Sequence, residues 1–168
     1  ELKNIFHQLN SQHELLFYSD LIEVVEDKET IFENAKKKAT QVYKEYQKPV
    51  IADDSGLFVN SLNGQPGVKS ARYAGDQASD EDNIEKLLDE LANEENRAAY
   101  FKTALFFYDG SNELTAEGIL DGQITFERRG NNGFGYDPIF EYEDKTLAEL
   151  SLNEKTNISH RNIACIKM

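Results

Sequence analysis

The pattern with the most chemical content is Asp53-Asp54-Ser55-Gly56, which follows the apolar run Val50-Ile51-Ala52. A buried strand ending in two carboxylates presents hard oxygen ligands at its C-terminal edge, where open α/β sheets bind ligands. Successive strand residues point to opposite faces, so only one of the pair can point straight at a given site. The same tetrapeptide is also a good turn, and the residues by themselves support both readings. A phosphatase with an aspartate nucleophile would carry Asp-x-Asp after its strand, a spacing absent here.

The acidic stretch from Glu23 to Glu29 precedes a helix start, where negative charge favours the helix dipole. One of its carboxylates is also a candidate second metal ligand. On the helix that follows, Asn34 and Lys38 lie one turn apart and can face a phosphate together, although Lys36-Lys37-Lys38 by itself reads first as an ordinary solvated face. In Asn132-Gly133-Phe134-Gly135-Tyr136-Asp137-Pro138, glycines on both sides of Phe134 let a ligand approach the backbone and leave the ring open. Stacking of a base on such a ring is worth ~1–3 kcal/mol. Lys155 with Ser159-His160-Arg161 forms a donor cluster at a helix start, suited to anionic or carbonyl oxygens.

Several elements must position these residues. Leu2, Ile5, Phe6 and Leu9 fall on one helical face, and Glu14 to Tyr18 reads as a strand. A helix with nothing before it and no initiator Met leads to the expectation that an earlier strand belongs in front of it. Thr30-Ile31-Phe32-Glu33 is a capping-box pattern. The helix it opens carries Phe32, Ala35, Ala39, Val42 and Tyr43 inward, runs to about Tyr46 and is stopped by Pro49. Val50 to Ala52 is then a short buried strand.

Ser79 caps a helix striped by Ile84, Leu87, Leu88 and Leu91. Ala98 to Tyr108 and Glu113 to Ile119 read as strands joined around Asp109-Gly110, with a further strand near Gln123 to Glu127. Thr146-Leu147-Ala148-Glu149 and Ser151-Leu152-Asn153-Glu154 are two more caps, and a last helix starts near Ser159. Helices interleaved with strands, plus one hairpin, indicate α/β with a mixed sheet flanked by helices. No repeat, low-complexity tract or linker interrupts the 168 residues, so a single domain is expected.

The formal net charge of −13 argues against a nucleic-acid polymer, whose phosphates need a basic surface. A small phosphorylated ligand is not excluded, because a divalent metal and a few lysines overcome the global field locally. No apolar run reaches the ~20 residues of a membrane span, and the N-terminus lacks a signal-peptide pattern, so no membrane partner is expected. The single cysteine, Cys165, fits a reducing cytoplasm.

Together these pieces resemble the inosine/xanthosine triphosphate pyrophosphatase family, the Ham1-like house-cleaning nucleotidases. The resemblance rests on Thr30 to Ala35 with Lys38-Ala39, on Ile51 to Leu57, and on Pro66-Gly67-Val68-Lys69-Ser70-Ala71-Arg72-Tyr73. It continues through Gly133 to Phe140 and Glu154-Lys155 with Ser159-His160-Arg161, in the family's order across nearly the whole chain. It implies a Ham1/Maf-type fold and hydrolysis of a purine nucleoside triphosphate to the monophosphate and pyrophosphate, with Mg²⁺ and as a homodimer. By the same resemblance Asp54 is the general base and close to the metal, Glu26 shares the metal, and Lys38 meets phosphate. Ser55 lines the pocket, Phe134 stacks on the base, and Tyr136, Asp137, Lys155, His160 and Arg161 recognise sugar and purine.

Of the family's opening strand and phosphate loop only Glu1 and Leu2 have counterparts, and the last helix ends early at Met168. A chain truncated at its N-terminus is therefore the expectation. A purine with a 6-keto group is an acceptor where adenine is a donor, so fixed cations and N–H donors at Lys155, His160 and Arg161 favour the keto form. The rival class is a binding-only protein, a nucleotide sensor or dimerisation module that kept the fold and lost turnover.

Overall fold

The computed structural model describes residues 2–8, 15–16 and 22–168. Local signals fix most of its helices. Thr30 caps α2 (Ile31–Tyr46) by accepting the Glu33 N–H at 3.1 Å, while the Glu33 carboxylate accepts from the same Thr30 hydroxyl. Gln47 leaves the helix in the left-handed region, two residues before Pro49. Ser79 and Asp82 form a reciprocal capping box at α3 (Asp80–Glu90), and Ser151 and Glu154 do the same for α4 (Leu152–Ile158). Ser159 caps α5 (His160–Lys167), and α1 spans Leu2–Gln8.

Six strands form one sheet: β1 (Val50–Val59), β2 (Pro66–Gly67), β3 (Ala98–Tyr108), β4 (Glu113–Ile124), β5 (Phe140–Tyr142) and β6 (Lys145–Thr146). Their order is β2-β1-β3-β4-β5-β6, and every pairing among the described residues is antiparallel. The α/β architecture holds, and two boundaries differ from those read in the sequence. β1 does not stop at Ala52 but continues through Asp53-Asp54-Ser55-Gly56 to Val59, because each of its residues has a register partner in β3, from Val50 opposite Tyr108 to Val59 opposite Ala99. The acidic pair thus sits in mid-strand, not at a strand end. The separate strand near Gln123 to Glu127 is absent: Gln123 and Ile124 finish β4 by pairing with β5, and 125–127 lie outside the strands. Leu9 and the strand read at Glu14 to Tyr18 lie outside the described residues, apart from 15–16, which carry no assigned element.

The long hairpin β3–β4 is the spine of the molecule. On one face α2 buries Ile31, Ala35 and Ala39 against Ala104 and Phe106 of β3. On the other, α5 and α1 bury Ala164, Cys165 and Ile5 against Leu105 and Ala116. Leu57, Val59, Ile84, Leu87, Phe140 and Leu147 close a third core, which joins α3 to the far end of the sheet. Among the described residues no helix is long and apolar enough to cross a membrane.

Candidate active site

Strand alternation divides the predicted residues between the two faces of β1. Asp54 turns toward α2 and Asp53 toward α5, as the period of two requires. On the α2 side, the Asn34 amide donates to Asp54 Oδ2 at 3.1 Å, and the backbone N–H of Lys28 donates to Asn34 Oδ1 at 3.0 Å. That second bond fixes which end of the fully buried amide faces the carboxylate. Lys38 Nζ donates to Glu26 Oε1 at 2.7 Å and stands 3.5 Å from Asp54 Oδ1. Arg72 closes the cluster by donating from Nη2 to the Glu26 carbonyl oxygen at 3.0 Å, with Nη1 3.9 Å from its carboxylate.

Burial holds the Asp54 carboxyl above the usual carboxylate range, and the nearby Glu26 charge pushes the same way. Lys38 and the hydrogen bond from Asn34 oppose them without cancelling them. Two carboxylates therefore converge on one ammonium, which already marks a cationic position between them. Hard oxygen donors around such a point match what a divalent cation takes. Among the described residues no group of three or more His, Cys, Asp or Glu side chains is gathered for a metal, so Glu26 and Asp54 are the pair available.

The α5 side holds a cavity of about 200 Å³. It is lined by Ser55, the run from Phe134 to Asp137, and Lys155, His160 and Arg161, and so gathers residues more than a hundred positions apart in the chain. Ser55 Oγ lies 2.6 Å from Thr103 Oγ1, its register partner on β3. Phe134 is 62% exposed, which leaves a face of its ring open for stacking. Its N–H donates to Asp137 Oδ2 at 2.9 Å, and the same oxygen accepts from the buried Lys155 ammonium, which lies 4.7 Å from the ring centre. Gly133 has φ +80°, and a Cβ there would stand 1.9 Å from Asp137 Oδ2. Glycine is thus needed for Asp137 to reach under the loop. Tyr136 is also buried, its hydroxyl donating to the Ser70 carbonyl at 2.9 Å, and burial raises its pKa.

His160 stacks on Phe101 with ring centres 5.0 Å apart and planes 12° apart. Its burial, with help from the neighbouring Arg161 and Lys155 charges, lowers its pKa to about 3, so the imidazole is neutral at physiological pH. Its Nδ1 is buried and has no hydrogen-bond partner among the described residues. The Lys155, His160 and Arg161 cluster is accordingly not three free cations: Lys155 is paired with Asp137, Arg161 Nε donates to Asp53 Oδ2 at 2.9 Å, and His160 is uncharged.

Sequence reasoning named separate candidates, of which the structure brings Glu26, Asn34, Lys38 and Asp54 to one cluster and the remaining ones to one cavity. It assigned no role to four residues that complete them. Arg72 stood within the matched stretch Pro66 to Tyr73 but carried no local sign of its contact with Glu26. Thr103 and Phe101 are ordinary strand residues until the β1–β3 register places them. Asp80, in the first turn of α3, accepts the Gly135 N–H at 2.7 Å and so ties α3 to the Phe134 loop. A wider groove of about 760 Å³ holds Arg72 and Lys102 but none of the residues to which the family resemblance assigns a role in the site.

The sequence model of the Ham1 family matches residues 1–168. A dITP/XTP pyrophosphatase of Desulfotalea psychrophila is 49% identical over 150 residues, covering 88% of this chain and 67% of that protein. One of Bacillus subtilis is 50% identical over 151 residues, covering 87% of this chain and 76% of that protein. Among solved structures, a HAM1 protein from Coxiella burnetii superposes with a TM-score of 0.90 at 37% identity, over 99% of this chain and 89% of that one. The Staphylococcus aureus Ham1 protein gives 0.83 at 46% identity, over 87% of this chain and 78% of that one.

Proposed function

Because the chain belongs to the Ham1 family, we propose that it is a nucleoside-triphosphate pyrophosphatase, hydrolysing inosine and xanthosine triphosphates and their deoxy forms to the monophosphate and pyrophosphate. The observation that carries this reading is the pairing, on the two faces of β1, of the Asp54–Lys38–Glu26 cluster with a largely apolar cavity, edged by the paired cations Lys155 and Arg161 and sized for part of a nucleotide. Residues 1–168 are read as one such domain.

In the reaction, water adds at phosphorus, the anhydride bond between the α- and β-phosphates breaks, and pyrophosphate leaves. Asp54 takes the proton from the attacking water, and its raised pKa makes it a stronger base than an ordinary aspartate. Asn34 holds the carboxylate in place, and Lys38 meets phosphate charge as it develops. Glu26 and Asp54 would hold a divalent cation, Mg²⁺ in this reading, which when bound supplies further charge neutralisation. Phe134 stacks on the purine and Gly135 lets it approach. Ser55, Tyr136, Asp137 and Lys155 shape and hold the sugar and base site, and His160 and Arg161 offer donors to a 6-keto oxygen.

A homodimer in the cytoplasm is the expected setting, the latter in keeping with the single cysteine, Cys165. No observation favours a binding-only module. The direct test measures pyrophosphate release from the inosine, deoxyinosine and xanthosine triphosphates and from ATP. The expected result is preference for the keto purines, which buried donors can drive as far as ~10⁴-fold. Equal kcat/KM for inosine triphosphate and ATP would refute it.

A further inference from the structure

Asp53 has no place in the cluster around its neighbour Asp54, yet it is three-quarters shielded from solvent, with 24% of its side chain exposed. We propose that Asp53 is a positioning residue for base discrimination: its carboxylate fixes the guanidinium of Arg161 at the wall of the cavity that also holds Ser55, Phe134 and His160. The proposal rests on the reading of that cavity as the purine site.

Three observations carry it. First, β1 is a rigid support, paired with β3 along its whole length, with Asp53 itself opposite Leu105. Arg161, by contrast, stands in the first turn of the last helix, only eight residues long. The contact between them passes the rigidity of the sheet to a side chain with four rotatable bonds, which lowers the rotamer freedom that the ligand has to freeze. Second, the bond engages Arg161 Nε at 2.9 Å and leaves Nη1 and Nη2 outside it. The plane of the guanidinium is therefore set without Asp53 occupying its outer edge. Third, the two side chains are only 20% and 24% exposed, so solvent screens the pair less than it screens a surface ion pair.

With the Asp53 carboxylate paired to it, Arg161 brings little net charge to the cavity, and selection falls to hydrogen-bond geometry. Without that carboxylate, the guanidinium would lose one compensating charge and one anchor, and binding would depend less on the base. Asp53 would then serve selectivity, whereas Asp54, one residue on and facing α2, serves turnover.

The test is a double-mutant cycle on Asp53→Asn and Arg161→Ala in the full chain, with kcat and KM for inosine triphosphate and ATP and a melting curve for every variant. Loss of one hydrogen bond to a charged group is expected to raise KM for inosine triphosphate about tenfold. Over the same change kcat should stay within roughly threefold, because the Asp54 face is untouched. The preference for inosine triphosphate over ATP should fall with it. In the Arg161→Ala background Asp53→Asn should add nothing further, and Asp53→Glu, which restores a carboxylate, should recover part of the lost KM. If Asp53→Asn melts too low to assay, the cycle is run with Asp53→Glu and Arg161→Lys, again with non-additive losses expected. Additive losses, or a fall in kcat at unchanged KM, would overturn the positioning role alone. A wild-type protein that releases no pyrophosphate from inosine triphosphate would overturn the functional reading and this proposal with it.

Discussion

At the scale of single residues, what distinguishes Asp54 from the many other carboxylates of this acidic chain is its surroundings. It is buried, held by Asn34 and set beside both Lys38 and Glu26. Asp54→Asn is nearly isosteric, so the fold should persist while turnover drops ~10²–10⁴-fold, the usual worth of a general base. Measured kcat with an unchanged melting temperature checks this, and near-normal kcat would remove Asp54 from its role. His160 carries a different consequence. Its pKa is depressed from an ordinary 6.5 to about 3, so the unfolded chain binds a proton that the folded chain refuses. The stability this protects is fully present above pH 6.5 and is lost as pH falls from 6.5 toward about 3. The slope for one such proton is roughly 1.4 kcal/mol per pH unit. His160→Phe, which keeps a ring against Phe101, should flatten the acid limb of a stability–pH profile from urea unfolding; an unaltered slope would show that His160 is not the responsible proton site.

At the scale of elements, short-range signals and long-range pairing divided the work. The caps at Thr30, Ser79, Ser151 and Ser159 all lie where hydroxyl-bearing residues precede apolar stripes, because a cap depends on residues within one turn. Ser79→Ala should accordingly cost about 1 kcal/mol, read as a lowered urea midpoint. Strand ends depend instead on partners far along the chain. Asp53-Asp54-Ser55-Gly56 looks like a strand terminus by composition, and only ten consecutive pairings with β3 carry β1 through it. The seat of α5 is of the same kind. Gly118 on β4 admits the His160 carbonyl, and a Cβ there would stand 1.9 Å from that oxygen and 2.6 Å from the Ala164 nitrogen. Gly118→Ala should destabilise by ~1–3 kcal/mol, as overpacking does, and because it pushes the helix bearing His160 and Arg161 it should also raise KM for the base. A neutral outcome on both counts would mean that α5 shifts freely without consequence to the cavity.

At the scale of the whole molecule, the net charge of −13 and the compensated local charges belong together. Lys38 stands against Glu26 and Asp54, Lys155 against Asp137, and Arg161 against Asp53, so each basic side chain in the two sites already has an acidic partner. In the function proposed above such sites take a compact polyanion, and they give no continuous basic track. The protein should therefore show no binding to duplex DNA in a mobility-shift assay at physiological salt, and retardation there would contradict the small-ligand reading. Ordinary nucleotide concentrations face the same global repulsion, so KM for triphosphates should fall as salt screens it, before direct competition at the site sets in.

The residues alone determined the chemistry available, the helix starts, the alternation that separates Asp53 from Asp54, and the exposed aromatic between two glycines. Each of these is local, set by side-chain type and by backbone periods of two or 3.6 residues. Only the tertiary structure decided which of the acidic residues before α2 meets Lys38, that Arg72 braces it, and that Asp53 answers to Arg161. Those choices bring together residues 12, 46 and 108 positions apart. Contacts at such separations are fixed by sheet register and helix packing, which no window of neighbouring residues encodes.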